Sequence, residues 1–118
     1  MDGKLLTPNH FAANAGGDGP LVNPWGIAKA PIHFGKYSGA ILIGNIDDGR
    51  INAFDQKGNF LGTLQDPSGN DIVIPGLWDL VFGEPNGPDS SRLYYDAGPN
   101  LADFFGNGAF GVITVKGH

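Results

Sequence analysis

The residues of this chain that could do chemistry are a few oxygen donors and two tryptophans. Asn45, Asp47 and Asp48 crowd into one short stretch, and Asp79 follows directly on Trp78. Carboxylate and carboxamide oxygens are the donors that calcium and magnesium prefer, and Asn45, Asp47, Asp48, Asp79 and Asp96 supply them. Of these, Asn45, Asp47, Asp48 and Asp79 form the candidate metal set, with calcium as the candidate cofactor. A second reading stands beside it. Asp-Gly is among the strongest short hairpin signals, and a turn at Asp47-Asp48-Gly49 accounts for both carboxylates without any metal. No turn accounts for Asp79, whose alternatives are a ligand-facing carboxylate and a strand-end side chain bonded to backbone. Trp25, Trp78 and Asp79 make up the candidate ligand-binding set. An indole can stack on a sugar, although packing in the core between sheets is the favoured reading for both tryptophans.

Other chemistries find no support. His10, His33 and His118 share no metal-ligand spacing. There is no cysteine, which removes disulfides, thiolate sites and thiol nucleophiles. No nucleophile elbow, Walker loop or dinucleotide fingerprint is present, and Gly106-Asn107-Gly108 reads as a hairpin turn. No catalytic residue is assigned. Arg50 reads as structural, its stem over a strand and its head on a carbonyl or carboxylate.

The scaffold that must position these groups is legible from composition and periodicity. The 118 residues suffice for one modest core, and 41% hydrophobic residues argue against disorder. The net charge of -5 disfavours a nucleic-acid partner, because no basic cluster exists to neutralise phosphates. No apolar run approaches the roughly 20 residues of a membrane span, and Met1-Asp2-Gly3-Lys4 is not a signal peptide. Four apolar runs of strand length follow one another: 23–28, 40–45, 49–55 and 59–64, with 29–38 as the loop after the first. Asp66 to Asn70 is a tight turn, and 71–74 leads into a second cycle. There Leu77 to Phe82 answers Pro24 to Ala28, Arg92 to Gly98 answers 40–45, and Gly108 to Val115 answers 49–55. The tryptophans stand 53 positions apart, a period of the propeller class rather than of helical solenoids. One helical turn is possible at Leu101 to Phe105.

The fold class is therefore all-β: a propeller module of two four-stranded antiparallel blades, about 21–65 and about 72–116. The second cycle stops one strand short, and the segment 4–12 is the expected donor of that strand.

Pro24 to Ala28, Ile41 to Asn45 and Arg50-Ile51-Asn52-Ala53-Phe54 resemble the NHL-type β-propeller superfamily. With Asn23 to Ala28, Gly44 to Asp55, Ile72 to Trp78 and Ala97 to Asn100, the chain is similar to the last two blades of a family of uncharacterised, mostly bacterial and often exported propeller proteins. The resemblance implies a six-bladed ring, a binding or scaffolding role with no assigned chemistry, and a secreted or periplasmic setting. It also implies that Trp25, Trp78 and Asp79 lie near a central channel. Asp79 departs from it, since relatives carry a small residue there. The alternative functions are a metal-dependent hydrolase or lyase of the NHL-like type and a small oligomeric lectin, with a small molecule or glycan as ligand. Two blades cannot close a ring, so the expected partner is the chain itself, as a cyclic homo-oligomer with a trimer favoured.

Overall fold

The computed structural model describes residues 19–21, 23–98 and 108–115. The described residues are all-β, arranged in two antiparallel sheets. Sheet one runs β1 (Pro24–Lys29), β2 (Ile41–Asn45), β3 (Ile51–Phe54) and β4 (Phe60–Thr63), in that spatial order. Sheet two runs β5 (Leu77–Phe82), β6 (Leu93–Ala97) and β7 (Ala109–Ile113), again in chain order. Every strand boundary falls within two residues of its expected place. The loop after β1 carries one short 3-10 turn at Gly35–Tyr37. The expected fourth strand from 4–12 and the turn at 101–105 lie outside the described residues. Among the described residues no helix is long and apolar enough to cross a membrane.

The β2–β3 hairpin shows why the strands end where they do. Gly49 N–H bonds to the Asn45 carbonyl at 3.1 Å, and Asn45 N–H to the Arg50 carbonyl at 3.0 Å. Gly49 has φ +69, a conformation that glycine adopts without steric cost. The 66–70 turn is closed by Asp66, whose carboxylate accepts the N–H groups of Ser68 and Asn70. Both are turns whose side chains mimic a backbone bond.

The two sheets stack face to face through their first strands. Alternation along β1 puts Gly26 and Ala28 on the inner face, and Leu77, Leu80 and Leu93 answer them from sheet two. The core cluster gathers Leu42, Ile51 and Ala53 from sheet one with Leu77, Leu80, Leu93 and Ala97 from sheet two. Burying each of these leucines contributes about 1.5–3 kcal/mol. Phe34, from the loop after β1, meets Phe82 edge-on with centroids 5.0 Å apart. The approach depends on two glycines that pair across β1 and β2. A Cβ on Gly26 would lie 2.9 Å from the Trp78 carbonyl oxygen, and one on Gly44 would lie 2.8 Å from Leu77 Cδ2. Leucines of one sheet thus seat where the other has no side chains.

Replacing Gly26 by Ala should therefore destabilise the fold by about 1–3 kcal/mol, because the clash is with backbone and cannot be relieved by a rotamer. Gly108→Ala, with only ordinary contact around its Cβ, should stay within about 0.5 kcal/mol of the parent. Urea denaturation of the three proteins measures this. Equal midpoints would show that β1 and β5 do not pack as described.

Candidate functional site

The two halves repeat each other down to their irregularities. The β1–β2 register shifts between Pro24 and Gly26, and the β5–β6 register shifts between Leu77 and Asp79. Each bulge contains a tryptophan as its extra residue, and bulges re-aim the side chains they carry. Trp25 and Trp78 are accordingly 64% and 44% exposed. This corrects the expectation that both belong to the core between sheets: an unpaired bulge residue is turned out of the strand's alternation. The Trp25 indole N–H donates to Asn23 Oδ1 at 3.1 Å, and the Asn23 amide donates to Asp47 Oδ1 at 3.3 Å. The Trp78 ring lies beside Gly98.

Asn45, Asp47 and Asp48 are occupied by the fold. Asn45 is fully buried, and its amide donates to the Pro20 carbonyl at 2.7 Å. Asn52 donates to the same carbonyl at 2.8 Å, pinning the segment before β1 against sheet one. Asp48 accepts the Arg50 N–H at 3.0 Å, as a turn carboxylate does. The turn reading of Asp47-Asp48-Gly49 thus has its geometry. Asp79 belongs to the other sheet, and among the described residues no group of three or more acidic or histidine side chains converges on a point. His33 is exposed, and His10 and His118 lie outside the described residues.

Arg50 behaves as read. Its Nε donates to Asp71 Oδ2 at 3.1 Å, while the Gln65 amide donates to Asp71 Oδ1 at 3.1 Å. Asp71 lies within the connection from sheet one to sheet two, where it bridges back to Gln65. The Gln65 bond and then the Arg50 guanidinium hold its carboxyl below the ordinary 3.8.

The feature that the sequence reading half missed is the outer face of sheet two. Asp79 pairs with Asp96 directly across β5 and β6, and Val81 with Tyr94 beside them. On β7, Phe110 opposes Asp96 and Val112 opposes Tyr94. Val81, Phe110 and Val112 are 58%, 78% and 45% exposed, and Tyr94 stacks on Phe110 with centroids 5.9 Å apart. A shallow depression of about 70 Å³ lies between the carboxylates and these rings. One oxygen of each carboxylate is engaged locally: Asp96 accepts the Asp79 N–H at 3.0 Å, and Asp79 accepts the Leu80 N–H at 2.8 Å. No cation faces the pair among the described residues. Matching the bulges makes Gly26 and Gly44 the counterparts of Asp79 and Asp96. The sequence shows Asp79 and Asp96 only as separate oxygen donors, because they lie on different strands and only the register joins them as a pair.

Two larger clefts lie elsewhere. One, of about 420 Å³, runs between Tyr37, Leu64, Pro67 and Val115. The other, of about 790 Å³, lies between the loops after β1 and β5, with Lys29, His33, Gln56 and Asn86 on its walls.

Comparison with known proteins returns viral sequences. An uncharacterized protein of Acanthamoeba polyphaga mimivirus, L690, is 40% identical over 79 residues, which is 67% of this chain and 20% of its own length. A second, R648, is 38% identical over 79 residues, covering 67% of this chain and 19% of its own. A third, R640, is 36% identical over 75 residues, 63% of this chain and 14% of its own. The chain thus spans about a fifth or less of the curated relatives it matches. These relatives are viral, where the sequence resemblance pointed to bacterial proteins. No family profile and no solved structure matches the chain.

Two outcomes follow. Like charges directly opposite each other in a sheet are destabilising by about 0.2–1 kcal/mol. Asp79→Asn keeps an acceptor for the Leu80 N–H and should raise stability by that order in low salt, with the gain shrinking in high salt. Denaturant midpoints at two ionic strengths test it. A group whose folded pKa is depressed lends stability above its unfolded value and loses it as pH falls through the folded value. Asp71 is such a group, so Asp71→Asn should lose stability at neutral pH and show a shallower acid decline of Tm than the parent. Parallel Tm curves would exclude a role for the Arg50–Asp71–Gln65 cluster.

Proposed function

We propose that the chain is a two-blade module of an NHL-type β-propeller that acts in binding or scaffolding, completing its ring with further copies of itself. The observation that carries the reading is the contact between β1 and β5. Two sheets, each in simple meander order, meet through their first strands with Gly26 against the Trp78 carbonyl and Leu80. Repetition of one such step around an axis builds a propeller. The outer faces left over carry Trp25, Ile27, Val81 and Phe110, all more than half exposed. Apolar surface of this extent marks an interaction site. A head-to-tail interface that closes by rotation covers both faces at once, and three copies complete six blades.

One observation favours a second reading, a glycan-binding propeller. Both indoles are held outside the core by their bulges, and the Trp25 ring is oriented by Asn23. An exposed, oriented indole is a stacking platform for a sugar face.

Light scattering of the whole chain at micromolar concentration should return three times the monomer mass. A stable monomer would exclude ring completion by self-association. On a glycan array, binding lost in Trp78→Ala would support the lectin reading, and an array without signal would remove it.

A further inference from the structure

The outer face of sheet two is where the repeat breaks its own rule. Its counterpart on sheet one is the inner face, where the Gly26–Gly44 pair admits Leu77 and Leu80. On sheet two that pair has become Asp79 and Asp96. Everything around the carboxylates still suits a covered sheet: Val81, Tyr94, Phe110 and Val112 form an apolar surround that is largely exposed. A second sheet laid on this face in the same manner would bring its residue equivalent to Leu80 over the two carboxylates. An aliphatic side chain alone in that place would strip them of water without compensation. The occupant must bring a cation beside its aliphatic residue.

We infer that the occupant is a second copy of this chain, docking the outer face of its sheet one, with Lys29 as the cation for Asp79 and Asp96. This rests on the ring-completion reading and adds how the joint is recognised. Matching Trp25 to Trp78 makes Ile27 the counterpart of Leu80. Ile27 is 64% exposed and faces away from sheet two, as its neighbours Gly26 and Ala28 face toward it. Lys29 lies two residues further along β1, on the same side by strand alternation and at the mouth of the cleft between the loops after β1 and β5. It is exposed, with no ion-pair partner among the described residues. Its four-carbon stem covers apolar surface while the ammonium reaches a carboxylate. Of the other described cations, Arg50 and Arg92 are engaged by Asp71 and Asp89, and Lys36 and Lys57 lie outside the strands. The contact inside one chain is thus glycine against leucine. The contact between chains is a carboxylate pair against isoleucine and lysine, so the joint accepts sheet one of another copy and rejects a second sheet two, which offers Phe82 in place of Lys29.

The test is the assembly state of the full chain by sedimentation velocity in low and high salt. The parent should associate, and more weakly in high salt. Lys29→Glu, a change at an exposed position, should weaken association on the order of tenfold or more, with circular dichroism unchanged. Lys29→Glu combined with Asp96→Lys should restore it. Asp79→Asn with Asp96→Asn, which keeps the acceptors for backbone, should remove the salt dependence. A parent that assembles but ignores Lys29→Glu would overturn the charge pairing and leave ring completion standing. A monomeric parent would overturn both.

Discussion

The structure depends on two leucines being able to approach two glycines. Leu77 and Leu80 reach the backbone of β1 and β2 because Gly26 and Gly44 leave the surface bare, and the Trp78 carbonyl lies within 2.9 Å of where a Gly26 Cβ would stand. Interiors pack at crystal-like density, so a methyl group in that place would have to displace backbone. From this approach the rest follows. It sets the spacing of the sheets, turns Leu42, Ile51, Leu93 and Ala97 into one core, and brings the β2–β3 turn close enough for the Gly49 carbonyl to accept the Ile74 N–H at 2.8 Å.

The same positions show how one sheet design serves two surroundings. Both sheets carry a bulge at a tryptophan in their first strand, and in both the bulge takes the indole out of the alternating pattern. The following residue then faces inward in sheet one and outward in sheet two. Glycine stands where another sheet is seated on it, and aspartate where the face is open. The two carboxylates use local N–H groups for one oxygen each, which holds them side by side despite their like charge. A sheet that kept glycine here would present an apolar surface open to any edge or face of similar shape. Charge within an apolar face discriminates between partners more than it adds affinity.

The viral relatives share about two thirds of this chain but are roughly five or more times longer than the shared part. The shared stretch is thus a small part of much larger polypeptides. Exposed Ile27, Val81 and Phe110 on the outer sheet faces are surfaces that a neighbouring element could cover.

The strands and their order were legible in the sequence. Period-two alternation and the glycine, proline and aspartate turns are local properties, and β1 to β7 follow from them. The turn at Asp47-Asp48-Gly49 and the structural role of Arg50 were legible in the same way. Three things were decided only by tertiary structure. The burial of Asn45 came from the Pro20 carbonyl, an acceptor 25 residues away whose position no local pattern encodes. The exposure of Trp25 and Trp78 came from bulges, which shift register by a single residue and leave hydrophobicity unchanged. The Asp79–Asp96 pair came from cross-strand register. Sequence shows two aspartates 17 positions apart, and only the folded hairpin places them face to face, because strand pairing converts distance along the chain into contact across the sheet.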